Sequence, residues 1–206
     1  MTEPGSHYFD ESPTVPSAPH EVELTLPDMT VRLLTDRGVF GYRQIDSASR
    51  LLLRRAPPPP DGGHLLDLGC GTGALALVMA RRAPASTVWA IDSNGRAREL
   101  CASNAEHNDI ANIRVAAPSD VPEEIRFDAI WSNPPIRIGK PALHDLLGRW
   151  LRRLLPGGLA VLVVSKHLGA DSLQAWLTDQ GLPTTRAASV AGTRLLHVRS
   201  AGSDAQ

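Results

Sequence analysis

From residue 64 onward, short apolar runs of strand length alternate with longer segments in which apolar residues recur every three to four positions. A short apolar run is typical of a buried strand, and the longer period is typical of a helix with one buried face. Strands separated by such helices form a parallel sheet with helices on both faces. We therefore predict an α/β fold with a mostly parallel, seven-stranded sheet. The predicted strands are 65–68, 87–91, 113–116, 127–131, 159–164, 184–190 and 193–198, and the predicted helices are 74–82, 97–106, 143–155 and one that contains 173–177.

The N-terminal part of the chain follows a different pattern. Residues 1–20 are rich in Pro, Ser and acidic residues without a period, which predicts a flexible tail. Polar and apolar residues alternate over 21–26 and 30–34, which predicts a β-hairpin, and a helical period over 46–55 ends at the prolines of 57–60. The predicted domains are a tail at 1–20, an extension covering a pocket at 21–56, a linker at 57–63, the main domain at 64–200 and a second tail at 201–206.

Composition narrows the class of protein. The chain has 206 residues, 42% hydrophobic and 21% charged, which fits one globular domain and excludes a fibrous or disordered chain. No apolar run approaches the ~18 residues of a membrane span, so we expect a cytoplasmic protein without membrane contact. We also expect a monomer or a weak homodimer. The two cysteines, and seven histidines without ligand spacing, predict neither a disulfide framework nor a metal site. The net charge of −1 predicts that any contact with nucleic acid is local.

Candidate chemistry begins at a glycine-rich turn between the first strand and the first helix of the predicted sheet. Glycines there let a nucleotide-like ligand approach the backbone N–H groups at a helix N-terminus. Gly69, Gly71 and Ala74 fit the G-x-G-x-x-G/A pattern of dinucleotide sites, and the same turn suits S-adenosylmethionine (SAM). Asp67 favours SAM, because its carboxylate would repel a pyrophosphate and attract the cationic groups of SAM.

Two further acidic residues follow predicted strands. Asp92 ends the next strand, where its carboxylate is placed to accept hydrogen bonds from both hydroxyls of a ribose. A dinucleotide and SAM both have that ribose, so Asp92 does not distinguish them. Asp120 follows the third strand and is a candidate contact for an adenine amino group, with a simple turn position as the alternative.

The motif Asn133-Pro134-Pro135-Ile136 follows the fourth strand at its carboxyl end, the edge where open parallel sheets bind ligands. Pro135 has no N–H, which predicts an exposed carbonyl at Pro134. We expect the side-chain oxygen of Asn133 and the carbonyl of Pro134 to accept the two hydrogens of a planar amine. The nitrogen lone pair then points at the methyl group on the sulfonium of SAM, so catalysis rests on positioning and electrostatics.

Together these segments resemble class I SAM-dependent methyltransferases of the "methyltransferase small" group, which includes the ribosomal small-subunit RNA guanine-N2 methyltransferases. The resemblance covers roughly residues 7–198. It implies a Rossmann-like fold, SAM as cofactor, S-adenosyl-L-homocysteine as product, and ribosomal RNA or the small ribosomal subunit as partner. The residues that carry it are His7 to Phe9, Asp36 to Phe40, Asp46, Asp67 to Gly71 and Asn133 to Lys140.

The resemblance also implies roles for individual residues, among which Phe40 covers the pocket from the N-terminal extension. Ile136 stands where many amino-methyltransferases have an aromatic residue, which predicts weaker stacking on a base. The implied cofactor-binding residues are Asp67, Gly69, Cys70, Gly71, Asp92, Ser93, Asp120 and Asn133. The implied catalytic residues are Asn133 and Pro134, and the implied substrate-binding residues are Phe40, Pro135, Ile136 and Arg137.

Three other functions stay open at this point. The same chemistry would serve a protein glutamine amide or a small-molecule amine, although the protein-glutamine enzymes resemble Asn-Pro-Pro-Tyr instead of Asn-Pro-Pro-Ile. A non-catalytic SAM-binding or ribosome-assembly protein is a second alternative, against which the intact Asn133 and Pro134 argue. An NAD-dependent oxidoreductase is a third alternative, against which the lack of an evident catalytic Tyr/Lys or His/Asp pair in this sequence argues.

Overall fold

The computed structural model describes residues 15–200. The strands are β1 (His20–Thr25), β2 (Thr30–Thr35), β3 (His64–Leu68), β4 (Thr87–Ile91), β5 (Ile113–Ala116), β6 (Phe127–Ser132), β7 (Leu154–Ser165), β8 (Thr184–Val190) and β9 (Thr193–Arg199). The helices are α1 (Ser47–Arg55), α2 (Ala74–Arg82), α3 (Gly95–His107), α4 (Lys140–Leu151) and α5 (Ala170–Asp179). The predicted tail at 201–206, residues 1–14 of the other tail, and the segment His7 to Phe9 lie outside the described residues.

Seven strands form the main sheet in the order β5-β4-β3-β6-β7-β9-β8, and β1 and β2 form a separate antiparallel hairpin. Neighbouring strands of the main sheet are parallel except β9, which is antiparallel to both β7 and β8. This arrangement confirms the predicted α/β fold and its N-terminal hairpin and helix.

Alternate residues of the parallel strands face two separate cores, as the two-residue period of a strand requires. Leu65 of β3 and Val161 of β7 pack with the hairpin, α1 and α2, whereas Leu66 and Leu162 pack with α4 and α5. Both faces of the sheet are therefore covered. A ligand reaches such a sheet at the loops that follow the carboxyl ends of its strands.

The hairpin is fastened to α3 by two buried asparagines. Asn104 accepts a hydrogen bond from the N–H of Leu34 at 2.7 Å and donates to its carbonyl at 2.9 Å. Asn108 makes the same pair of bonds with Arg32, at 3.2 and 2.7 Å. Asn104 also donates to the carbonyl of Thr72 at 2.8 Å, so one side chain joins the hairpin to the glycine-rich turn.

The segments before and after the hairpin are held by two aspartates. Asp36 accepts hydrogen bonds from the hydroxyl of Ser17 at 2.7 Å and from the N–H of Ala18 at 2.5 Å, so this part of the predicted tail lies against the hairpin. Asp46 is the N-cap of α1 and accepts the N–H groups of Ala48 and Ser49. The division of the chain into tail, extension, linker and main domain itself stays a prediction.

The boundary between α4 and β7 differs from the prediction of a helix that ends at the Pro-Gly-Gly turn. The helix ends at Leu151, and Pro156 to Gly158 lie inside β7. Arg153 fixes this path, because its guanidinium donates to two backbone carbonyls, those of Pro122 and Ile125. A Cβ on Gly158 would lie 3.1 Å from the carbonyl of Asp128, so this glycine serves the close approach of β7 to β6.

Candidate active site

Three adjacent strands end at one edge of the sheet and place the predicted site residues there. β3 lies between β4 and β6, and Gly69, Asp92 and Asn133 come directly after these three strands. The hydroxyl of Ser132 donates to the carbonyl of Leu68 at 2.6 Å, which ties the end of β6 to the end of β3. Residues from distant parts of the sequence thus surround one space.

The glycine-rich turn exposes its backbone to this space. The N–H groups of Gly69 and Cys70 both donate to the carbonyl of Ile91 at 2.9 Å, which folds the turn back over the end of β4. Gly69 has a φ of 77°, in the left-handed region that favours glycine, and a Cβ added there would meet no atom within 4 Å. A ligand can therefore approach the backbone closely at Gly69, whereas the N–H groups of Gly69 and Cys70 are already bonded to Ile91.

Asp67 does not line the cavity. It is fully buried, and its Oδ2 accepts the N–H of Ala76 at 2.9 Å in the first turn of α2, whose N-cap Gly73 has no side chain. Burial, together with the nearby Asp92, raises the pKa of Asp67 to about 8, and its Oδ1 has no partner among the described residues. The carboxyl group is therefore neutral at pH 7, and the argument that its charge repels a pyrophosphate does not hold.

Asp92 lies in the wall of the cavity. Its two oxygens accept the N–H groups of Gly71 and Asn94, both at 2.9 Å. Burial raises the pKa of this carboxyl although those hydrogen bonds oppose the shift. Each carboxylate oxygen keeps a further lone pair, so the group can still accept hydrogen bonds from a diol. The neighbouring Ser93 also lines the cavity.

Asp120 is not placed at the cavity, so the predicted contact with adenine has no basis in its position. Its N–H donates to the carbonyl of Ala117 at 3.0 Å, and this turn directs the side chain outward, where it is exposed and bonded to the hydroxyl of Ser119. Pro118 lines the cavity instead. This position fits the alternative of a simple turn, and the contact with adenine stays a prediction.

Asn133 projects into the cavity with its amide group held from one side. Its Nδ2 donates to Oδ1 of Asp46 at 3.2 Å and to Oγ of Ser49 at 3.1 Å. Asp46 is the N-cap of α1, and Ser49 lies in the first turn of that helix. Since both hydrogens of the amide are used, the amide oxygen is the polar atom left for a ligand, and no described residue donates a hydrogen bond to it.

The carbonyl of Pro134 is less exposed than the sequence predicts. It accepts the N–H of Ile136 at 2.8 Å, in a tight turn centred on Pro135. Pro135 has no N–H to donate, but the N–H of the next residue, Ile136, forms a hydrogen bond to this carbonyl instead. A carbonyl oxygen has two lone pairs, so one remains for a ligand.

The cavity between the extension and the strand ends has a volume of about 620 Å³. The predicted substrate residues Phe40, Pro135, Ile136 and Arg137 line it, and Phe40 is 50% exposed. Cys70 lines a smaller recess of about 40 Å³ that shares several wall residues with the cavity. Sequence reasoning missed several wall residues, although the position of β7 beside β6 could have indicated some of them. They include Tyr42, Gln44, Asp46, Pro118, Leu146, Val163, Ser165 and Leu168.

The described residues, 15–200, contain neither a metal-ligand cluster nor a membrane-spanning helix. No group of three or more His, Cys, Asp or Glu residues in that range is arranged to hold a metal ion. None of the helices in the same range combines the length and apolar character needed to cross a membrane.

Comparisons with known proteins agree with this geometry. The chain is 35% identical over 169 residues to YbxB, an uncharacterized protein of Bacillus subtilis, and the match covers 81% of this chain and 84% of YbxB. It is 36% identical over 151 residues to ribosomal RNA small subunit methyltransferase C of Pseudomonas aeruginosa, covering 70% of this chain and 45% of that enzyme. The chain thus spans about half the length of the named methyltransferases that it matches.

A solved structure shares the fold and much of the sequence pattern. It is the 16S rRNA N2 methyltransferase RsmC of T. thermophilus, in complex with AdoMet and guanosine, with a TM-score of 0.76 and 26% identity over 91% of this chain and 52% of that one. The model of the methyltransferase small domain matches residues 30–186, which is more than half of the chain. The chain therefore belongs to the methyltransferase small domain family.

Proposed function

We propose that this protein is a SAM-dependent N-methyltransferase that transfers a methyl group to the exocyclic amine of guanine in ribosomal RNA. The family supports the class of reaction. The names of the ribosomal RNA methyltransferases among the relatives support the acceptor. These enzymes are about twice as long as the matched region, and YbxB is uncharacterized, so experiment must decide the acceptor.

The residues at the cavity fit SAM. Gly69 offers an open backbone surface for the methionine part, and Asp92 offers acceptor oxygens for the ribose hydroxyls. Ile91 and Pro118 provide apolar surface for the adenine. Bound SAM supplies a methyl group carried on a positively charged sulfur.

One acidic group of the cavity wall also favours this cofactor over a dinucleotide. Asp46 lines the cavity, whereas Asp67 lies behind the glycine-rich turn, and Asp92 would serve the ribose of either cofactor. A carboxylate beside a pyrophosphate brings two like charges together, but beside SAM it faces a cation. The preference for SAM that was predicted from Asp67 therefore rests on Asp46.

The observation that carries the proposal is the free amide oxygen of Asn133, which lines the same cavity as the glycine-rich turn. An amine conjugated to a ring is a poor nucleophile because its lone pair is delocalised. A hydrogen bond from that amine to Oδ1 of Asn133 fixes the nitrogen, and a second one to Pro134 holds the lone pair out of the ring plane. The acceleration then comes from orientation and from a preorganised polar site.

The test is methyl transfer from labelled SAM to small ribosomal subunits, naked ribosomal RNA and total cell protein in parallel, followed by digestion and identification of the labelled product. We expect label in N2-methylguanosine, and we expect Asn133→Ala to lower kcat by about 10²-fold, the effect of removing one preorganised polar group.

Each outcome has a clear meaning. Label confined to protein would replace RNA with a glutamine amide as the acceptor. SAM binding without transfer to RNA or protein would reject the proposed acceptor in favour of a small amine or a non-catalytic role. Full activity in the Asn133→Ala protein would reject the proposed role of the amide oxygen.

A further inference from the structure

Three segments that contribute to the cavity wall concentrate positive charge. Segments 37–45, 136–140 and 165–169 each contribute residues to the cavity wall. Together they contain five exposed Lys or Arg residues and no Asp or Glu, in a chain with 21 basic and 22 acidic residues. None of these five takes part in an ion pair within the described residues. This basic rim consists of Arg37, Arg43, Arg137, Lys140 and Lys166.

Tyr42 places an aromatic ring near two cations of the basic rim. The guanidinium carbons of Arg37 and Arg43 lie 5.9 and 5.2 Å from the centre of its ring. The hydrogen bond from Arg43, supported by Arg37, lowers the pKa of the Tyr42 hydroxyl, as expected where the local potential is positive. Tyr42 also lines the cavity, so the two cations lie beside its wall.

Acidic and basic groups therefore differ in position. Asp46 and Asp92 line the cavity wall, as does Arg137, whereas the other four cations of the basic rim are exposed and lie one to three residues from wall residues in the sequence. A neutral amide or a small cationic amine would gain nothing from such a rim. A nucleotide whose base enters the cavity leaves its phosphates outside, where they meet the cations.

We propose that the basic rim binds the phosphates of a single-stranded RNA segment on either side of the base that enters the cavity, with Tyr42 stacking on a neighbouring base. The proposal rests on the proposed function and names how the RNA is recognised. Recognition at the opening requires an unpaired nucleotide, because a base inside a duplex cannot reach Asn133.

The test measures the affinity for a fluorescent, guanine-containing, single-stranded RNA oligonucleotide as a function of salt concentration. The double variant Arg43→Gln/Arg137→Gln is compared with Arg126→Gln/Arg152→Gln, which removes the same charge from residues that precede β6 and β7 at the opposite edge of the sheet. We expect the rim variant to reduce the slope of log K against log salt by about 0.7 for each lost phosphate contact. The control is expected to retain the wild-type slope.

The outcomes separate this inference from the proposed function. If the wild-type protein methylates RNA but the rim variant keeps its salt slope, the basic rim is wrong and the function stands. If the rim variant has a reduced slope of log K against log salt but the wild-type protein transfers no methyl group to RNA, the binding surface stands and the proposed function fails. An equal loss in both variants would contradict a localised surface.

A second inference concerns the orientation of the Asn133 amide and depends on different contacts. A carboxylate only accepts hydrogen bonds, so the contact with Asp46 identifies the amide nitrogen as the atom facing α1. Rotation of the Asn133 amide by 180° would present its NH₂ group to the amine of the substrate. Two hydrogen-bond donors cannot form a hydrogen bond with each other. The same Oδ1 of Asp46 caps α1 through Ala48 and Ser49, which fixes its position.

We infer that Asp46 and Ser49 are positioning residues that keep the amide oxygen of Asn133 directed at the acceptor. Asp46→Ser tests this, because serine also caps a helix but is too short to reach Asn133. We expect kcat to fall by about ten- to a hundredfold, the range set by losing a hydrogen bond to a charged group, with KM for RNA little changed. Asp46→Asn keeps an acceptor oxygen and is the conservative control.

An exchange of the two side chains distinguishes positioning from a structural role. Asn133→Asp alone brings two carboxylates together and is expected to be less active than the wild type. In Asp46→Asn/Asn133→Asp, the amide at position 46 donates a hydrogen bond to the carboxylate at position 133, so the pair is restored with its direction reversed. This variant should therefore recover part of that loss. An unchanged kcat in Asp46→Ser, or a double variant no better than Asn133→Asp, would overturn the inference.

Discussion

At the scale of single residues, the carboxyl group of Asp67 makes the stability of the fold depend on pH. Its pKa is about 8 in the folded protein, against about 4 in an unfolded chain. The folded state therefore binds more protons between these values, and its stability falls as pH rises through the window. One pKa unit corresponds to ~1.4 kcal/mol, so the loss amounts to several kcal/mol.

We expect Asp67→Asn to remove most of this dependence, because an amide keeps the shape of the neutral acid and does not ionise. The measurement is the free energy of unfolding in urea at pH 5 and pH 8 for both proteins. Asp179→Asn, exposed at the end of α5, is the control for loss of one acidic group. Parallel pH profiles for the wild type and Asp67→Asn would contradict a raised pKa.

The contrast between Asp92 and Asp120 gives a second test at this scale. Asp92 lines the cavity and Asp120 is exposed beyond it, although both were candidate cofactor contacts. SAM at a hundred times its Kd should stabilise the wild type by about 2.7 kcal/mol. We expect Asp92→Asn to weaken SAM binding by about tenfold, the effect of replacing a charged acceptor, and Asp120→Asn to leave it unchanged. Calorimetric titration with SAM measures both, and equal losses would place the ribose elsewhere.

At the scale of elements, local sequence pattern predicts those parts of the fold that local chemistry controls. The strand Thr87–Ile91 and the helix Ala74–Arg82 have the predicted bounds, because Ser86 and Asp92 flank the apolar run of the strand, and Gly73 and Pro84 flank the helix. The start of β7 could not be predicted in this way. It depends on the pairing of Leu154 with Phe127 and on Arg153, contacts that the local pattern does not contain.

The bonds of Asn104 and Asn108 to Leu34 and Arg32 form a seam between the hairpin and α3, and this seam provides the test at the scale of elements. Asn104→Ala removes three hydrogen bonds that join β2, α3 and the glycine-rich turn, leaving buried groups unpaired, so it should cost at least about 2 kcal/mol. It should also raise KM for RNA, because the hairpin leads into the segment that carries Tyr42. Thermal or urea unfolding and steady-state kinetics give the two readouts.

Asn112→Ala is the matched control for the seam, because Asn112 also donates to three backbone carbonyls but lies away from the hairpin. Its partners are Ala80, Ala83 and Ser86. We expect a comparable loss of stability without the change in KM. An equal rise in KM for both variants would show that general destabilisation, and not the seam, affects the acceptor.

At the scale of the whole molecule, the sequence predicts the class of site better than its internal contacts. The glycine-rich turn and the Asn133 motif are recognisable because each is contiguous and follows a predicted strand. The contact between Asn133 and Asp46 joins residues 87 positions apart, so only the folded chain reveals it. The burial of Asp67 was hidden for the same reason, since a strand residue faces a core or a cavity according to the helices packed on it.

The two asparagines that fasten the hairpin to α3 make the extension exchangeable in this protein. The extension carries part of the cavity wall, yet Asn104 and Asn108 bond only the backbone N–H and carbonyl groups of Leu34 and Arg32. Any residue except proline offers the same two groups. A hairpin and loop grafted from a relative should therefore dock on the existing asparagines, so that acceptor preference can be altered by exchanging the extension while the core is kept.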